Sequence, residues 1–127
     1  MSKYVLDASA VLALLNEEPG KDRVEAMLAD CIVSSVNYCE VLTKLNDAGM
    51  TDKESADSFD LLNISVIDFD RRMARSAAGL RPKTKTLGLS LGDRSCLALG
   101  IARKATVITA DRAWSKLKIG AKIEVIR

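Results

Sequence analysis

The sequence predicts an α/β fold in which a mainly parallel sheet is covered on both faces by helices, a three-layer arrangement. Three observations predict it. Short β-branched runs recur at Lys3–Leu6, Cys31–Ser34, Ile64–Phe69, Ala105–Thr109 and Lys122–Ile126. The first four are separated by about 25–35 residues, which suits crossover helices and is far too long for hairpins. The stretch Ser90–Arg103 is apolar almost all round (Leu91, Cys96, Leu97, Leu99, Ile101), as a helix buried against a sheet requires.

The remaining helices carry their own punctuation. Pro19 suits the first turn of a helix running to Ala29. Ser35 is placed to cap the next, which stops at Gly49, a residue at ease in the left-handed conformation that ends helices. Thr51-Asp52-Lys53-Glu54 has capping-box spacing and opens another. Asp70 caps a helix through Gly79, and the basic segment Arg81-Pro82-Lys83-Thr84-Lys85-Thr86, which lacks aliphatic residues, reads as an exposed loop. Trp114, in the stretch after the fourth strand, reads as core.

A length of 127 residues fits one domain over 1–127, and 48% apolar with 28% charged residues excludes disordered, collagenous and coiled-coil classes. The net charge of +2, from 19 basic and 17 acidic side chains, singles out no partner. There is no histidine, which excludes a histidine general base, a Ser-His-Asp triad and the usual nitrogen-rich zinc sites. Cys31, Cys39 and Cys96 form no Cys-x-x-Cys pair. Cys39 and Cys96 lie among apolar neighbours and read as small buried hydrophobes, so a reducing, cytoplasmic setting is expected. Asp7 interrupts the apolar N-terminal stretch, no cleavage-site pattern follows, and no uncharged apolar run approaches the roughly 20 residues that span a bilayer, so no membrane association is expected.

In open parallel sheets, ligands gather beyond the carboxyl ends of the strands, where the strand order reverses. Four acids fall there: Asp7 ends the first strand, Asp111 follows the fourth, Glu40 lies on the helix after the second, and Asp93 starts the apolar helix. Each alone has a structural explanation. Asp7 and Asp111 can cap the segments that follow them, and Asp93 closes Ser90-Leu91-Gly92-Asp93 as a capping box. Glu40 lies nearly opposite the apolar face formed by Tyr38, Val41, Leu42 and Leu45, and four residues before Lys44, the favourable order for a surface ion pair. Together the four say more. Carboxylates brought close raise one another's pKa and require a cation, and an oxygen shell without histidine or cysteine selects Mg²⁺ or Mn²⁺ over Zn²⁺. Such ions activate water for displacement at phosphorus.

Four segments carry a resemblance: Val5-Leu6-Asp7-Ala8-Ser9-Ala10, Ser34-Ser35-Val36-Asn37-Tyr38-Cys39-Glu40-Val41, Leu89-Ser90-Leu91-Gly92-Asp93-Arg94 and Val107-Ile108-Thr109-Ala110-Asp111-Arg112-Ala113-Trp114. In order and spacing they resemble the signature segments of PIN domains, most closely the VapC toxins of toxin–antitoxin pairs. The resemblance implies a Mg²⁺- or Mn²⁺-dependent endoribonuclease acting as the toxin of a type II system. It implies a five-stranded sheet of order 3-2-1-4-5, a homodimer and inhibition by a cognate antitoxin protein. Asp7, Glu40, Asp93 and Asp111 match its acidic metal-binding positions, and Ser9 and Thr109 match hydroxyl residues that support the metal's waters. Glycine stands before Asp93 where alanine is common, and arginine follows it.

An acidic site that takes RNA needs cationic residues at its rim. Arg94 and Arg112 each follow an acid, Lys83 and Lys85 precede the apolar helix, and Arg71, Arg72 and Arg75 form a second cluster. Two other classes compete. A phosphorylation-controlled receiver would need acids before Asp7, where Val5 and Leu6 stand, and a haloacid-type phosphatase would need an aspartate where Ser9 stands. A non-catalytic PIN-like binding module would not need the four acids.

Overall fold

Successive side chains of a strand point to opposite faces of its sheet, so two separate cores form on one sheet. In the computed structural model, which describes residues 2–127, five strands build that sheet: β1 (Tyr4–Leu6), β2 (Cys31–Ser34), β3 (Ser65–Ile67), β4 (Thr106–Thr109) and β5 (Lys122–Val125). Their order is β3-β2-β1-β4-β5 and every pairing is parallel. Val5, Ile32 and Val107 enter one core, while Leu6, Val33 and Ile108 enter the other.

Helices α1 (Ala8–Leu15), α2 (Lys21–Met27), α3 (Ser35–Asp47) and α4 (Asp52–Asp60) cover the Leu6 face through Val11, Val24, Val41 and Phe59. Helices α5 (Arg71–Gly79), α6 (Arg81–Thr84) and α7 (Leu91–Arg103) lie in the later half of the chain. On the Val5 face, α5 supplies Ala77 and α7 supplies Cys96, Leu97 and Leu99. Trp114, on a 3₁₀ turn after β4, is buried in the same core. Among the described residues no helix is long and apolar enough to cross a membrane.

The local signals account for most boundaries. Thr51 and Glu54 form both halves of the capping box, Asp70 accepts from the Met73 N–H, and the chain leaves α3 through Gly49 at φ 106°. Four expectations are corrected. Ser34, not Ser35, caps α3 by accepting from the Val36 N–H, and the Ser35 hydroxyl instead accepts from the Phe69 N–H. Helix α2 begins at Lys21, with Gly20 rather than Pro19 at its start, and ends in a 3₁₀ turn at Leu28–Asp30. The segment 81–86 is not a loop: Pro82 sits in the first turn of α6, a 3₁₀ turn at Lys85–Leu87 follows, and buried Thr84 anchors the helix by donating to the Leu80 carbonyl. Cys39 is exposed, because it faces away from the stripe Asn37, Val41 and Leu45 that α3 buries, whereas Cys31 and Cys96 are buried.

Candidate metal-dependent active site

With β1 central in the order β3-β2-β1-β4-β5, the chain reverses direction across the sheet between β1 and β4. Asp7 stands at the carboxyl end of β1. Its N–H donates to the Ile108 carbonyl, which extends the ladder to β4 by one residue. Asp7 is only 5% exposed, yet its carboxylate is well furnished with donors. Oδ1 accepts from the Ser9 hydroxyl at 2.7 Å and the Ala10 N–H at 2.8 Å, and Oδ2 accepts from the Thr109 hydroxyl at 2.5 Å. Those bonds favour the charged form, but burial outweighs them and Asp93 adds repulsion. The Asp7 carboxyl is pushed up from 3.8 to about 6.

The two hydroxyls also fix the approach to Asp111. The Ala110 N–H donates to Ser9 Oγ and the Asp111 N–H donates to Thr109 Oγ1. Both Ser9 and Thr109 thus bridge β1 to the backbone after β4, and both donate to Asp7 itself. The Asp111 carboxylate is exposed and accepts from the Ala113 N–H, capping the 3₁₀ turn that carries Trp114.

Asp93 completes the expected capping box: Ser90 Oγ accepts from its N–H, and its Oδ2 accepts from the Ser90 N–H at 3.0 Å. Glu40 differs from expectation. It makes no ion pair with Lys44 among the described residues; Oε1 accepts from Asn37 Nδ2 at 2.7 Å, and a Cβ at Gly92 would overlap the carboxylate. The helical wheel places Glu40 opposite the apolar face, but α3 packs on α7 as well as on the sheet. The flank carrying Asn37 and Glu40 is therefore covered by the start of α7.

Cys96 ties these acids together. It lies one turn beyond Gly92 and Asp93, fully buried, and its thiol is pushed up first by burial and then by the negative charges of Asp7, Asp93 and Glu40. All three acids are near enough for their charge to act on Cys96, and none of them has an ion-pair partner among the described residues. Asp111 joins them only through Thr109. Each of the four carboxylates accepts from its own set of donors. Among the described residues, no three His, Cys, Asp or Glu side chains stand close enough to hold an ion. An oxygen-only donor set of this kind fits Mg²⁺, which binds through one or two carboxylates and keeps several waters, better than an ion that demands a full protein cage.

The cationic residues are unevenly placed. Arg94 is half-buried and donates from Nη1 to the Ala77 carbonyl, fastening α7 to α5, while its Nε is buried without a partner. Arg112 donates from Nε to the Arg127 carbonyl. Lys83 on α6, Lys85 just beyond it, and Arg71, Arg72 and Arg75 on α5 are all exposed. Asn37 was not singled out from sequence, although a polar residue in the stripe Asn37, Val41, Leu45 was a legible signal, and Gly92 and Cys96 were noted there only as a departure from the family pattern and as a buried hydrophobe.

The PIN domain profile matches residues 4–120. No curated protein is found to match the chain. Among solved structures, the chain is similar to DNA-bound VapBC from Salmonella typhimurium (TM-score 0.80, 18% identity, 100% of each chain covered). It is similar to VapBC2 from Rickettsia felis bound to a DNA fragment from their promoter (TM-score 0.76, 17% identity, 98% of each covered). It is also similar to VapBC-5 from Mycobacterium tuberculosis, a member of the VapBC family of toxin-antitoxin systems (TM-score 0.61, 24% identity, 100% of this chain and 99% of that chain covered). At these identities the likeness is one of fold. The profile match spans strands β1 to β4 and all four acids, and the chain belongs to the PIN domain family.

Proposed function

We propose that this protein is a Mg²⁺- or Mn²⁺-dependent endoribonuclease, the toxin of a type II toxin–antitoxin pair. The observation that carries this reading is Asp7, a carboxylate only 5% exposed at the carboxyl end of β1, held by the Ser9 and Thr109 hydroxyls and the Ala10 N–H, with Asp93 near enough for its charge to repel it. Burying a carboxylate is costly even when it is hydrogen-bonded, and perturbed carboxylates concentrate where function does. Membership of the PIN family and the VapBC-like fold support it.

In this reading Asp7, Glu40, Asp93 and Asp111 hold the cation. When bound, it supplies charge neutralisation and a more acidic water for attack at phosphorus. The chain's own contribution is positioning. Ser9 and Thr109 fix the Asp7 carboxylate and the backbone entering Asp111, and the Ser90 cap fixes Asp93. Exposed Lys83 and Lys85, just before α7, contact the phosphate backbone of RNA, and a cognate antitoxin and a second copy of the chain are the expected protein partners. The cytoplasm, where the substrate RNA is found, is the expected location.

The test is cleavage of a structured RNA by the purified protein. Cleavage is expected with Mg²⁺ or Mn²⁺, none with EDTA, and a loss of several orders of magnitude in Asp7→Asn and Asp93→Asn. Metal-dependent cleavage that survives in both variants rules out this site. A folded protein that cuts no RNA under any of these conditions favours a non-catalytic PIN binding module instead.

A further inference from the structure

Asn37 is a polar residue in the wrong place for a surface helix. It occupies the buried stripe of α3 and is 1% exposed. Its amide nitrogen makes two hydrogen bonds, to Glu40 Oε1 at 2.7 Å and to the Gly92 carbonyl at 3.1 Å. The second crosses from α3 to the first turn of α7. Its Oδ1 is buried without any hydrogen-bond partner among the described residues. Buried polar atoms of this kind are rare, and an ordered water is the usual group that satisfies them.

Gly92 supplies the other half of the arrangement. A Cβ at this position would overlap both oxygens of the Glu40 carboxylate. The missing side chain is therefore the space in which the carboxylate rests. The first turn of a helix favours an anion there, through its unpaired N–H groups and its dipole. Without the Asn37 amide, a half-buried glutamate side chain still has several rotamers open to it, and fixing one costs side-chain entropy.

We propose that Asn37 and Gly92 form the seat of the Glu40 carboxylate, which makes Asn37 a positioning residue for cation binding at the candidate site. The inference rests on the metal-dependent reading above. Asn37 acts through Glu40, by holding one carboxylate oxygen from behind and leaving the other for the ion. Gly92 acts by leaving room for that carboxylate. Groups that orient a metal ligand in this way are worth about ten- to a hundredfold in metal affinity.

The experiment is calorimetric titration of Mn²⁺ alone into the metal-free full chain, without RNA, for the wild type, Asn37→Ala, Gly92→Ala, Glu40→Gln and the Asn37→Ala/Glu40→Gln double variant. Asn37→Ala and Gly92→Ala are each expected to weaken Mn²⁺ binding about ten- to a hundredfold. Glu40→Gln is expected to weaken it at least as much, and the double variant no further than Glu40→Gln. A clamp that merely joined α3 to α7 would instead add its loss to that of Glu40→Gln. If Asn37→Ala does not fold, Gly92→Ala carries the test, because the far end of a flexible glutamate moves aside without disturbing the core. Wild-type affinity in both Asn37→Ala and Gly92→Ala, or additive losses in the double variant, overturns the proposal and leaves the metal site standing. A wild-type chain that binds no Mn²⁺ overturns the metal reading and this proposal with it.

Discussion

Thr109 Oγ1 donates its proton to Asp7 Oδ2 at 2.5 Å and itself accepts the N–H of Asp111 at 3.0 Å. One buried hydroxyl therefore couples two acids that are more than a hundred residues apart in sequence. A threonine hydroxyl has one donor and two acceptor sites, so it serves both neighbours at once. Valine has nearly the same shape and neither function.

Thr109→Val is accordingly expected to destabilise the protein by about 1–3 kcal/mol, because Asp7 loses a donor and the Asp111 N–H loses its acceptor. Urea denaturation measures this. RNA cleavage is expected to fall about ten- to a hundredfold, as for loss of other groups that orient metal ligands. A variant as stable and active as the wild type would show that the bridge carries no energy.

Asp7 gives stability a particular pH dependence. Its carboxyl titrates near 6 in the folded chain against 3.8 ordinarily, so between those values the folded state holds a proton that the unfolded chain has released. The stabilising contribution is fully present below pH 4 and is lost as pH rises through 6. The upper limit is on the order of 3 kcal/mol. In EDTA, Asp7→Asn removes this dependence. Its melting temperature is expected to exceed the wild type's at pH 7.5 and to converge with it near pH 4. Parallel curves across that range would contradict the burial argument.

Glu40 is engaged with Asn37 and not with Lys44. Lys44→Ala is therefore expected to leave cleavage unchanged and stability within about 0.5 kcal/mol of wild type, as exposed substitutions usually do. Glu40→Gln is expected to abolish most cleavage while the fold persists. A comparable loss in Lys44→Ala would revive the surface ion pair.

Packing between α7 and β4 leaves no room at Gly100, where a Cβ would overlap Cγ2 of fully buried Val107. A β-branched core side chain has little freedom to move aside. Gly100→Ala is expected to cost about 1–3 kcal/mol by overpacking, against the gain a helical alanine normally brings. Thermal melting of the single variant measures it, and a stabilised protein would refute the close approach.

Much of this molecule is determined locally. The five strands follow from β-branched runs, and the caps at Thr51, Asp70, Ser90 and Asp111 are written in residues two or three positions from the groups they bond. Both kinds of signal act over a few residues, where spacing alone fixes geometry. The positions of the four acids were legible for a related reason: Asp7 and Asp111 follow strands, Asp93 lies in the first turn of α7 and Glu40 in the second turn of α3, and the order of elements sends such points toward one edge of a parallel sheet. The sequence-level reading failed where a neighbour from far along the chain decided. The wheel of α3 shows Glu40 on the polar side because it has no knowledge of α7, and segment 81–86 appears as a loop because Thr84 finds its burial only against the folded core. The double service of Thr109 and the seat beside Gly92 are likewise properties of packing. They join residues that no local pattern connects, and only the closing of the sheet under its helices brings them within bonding distance.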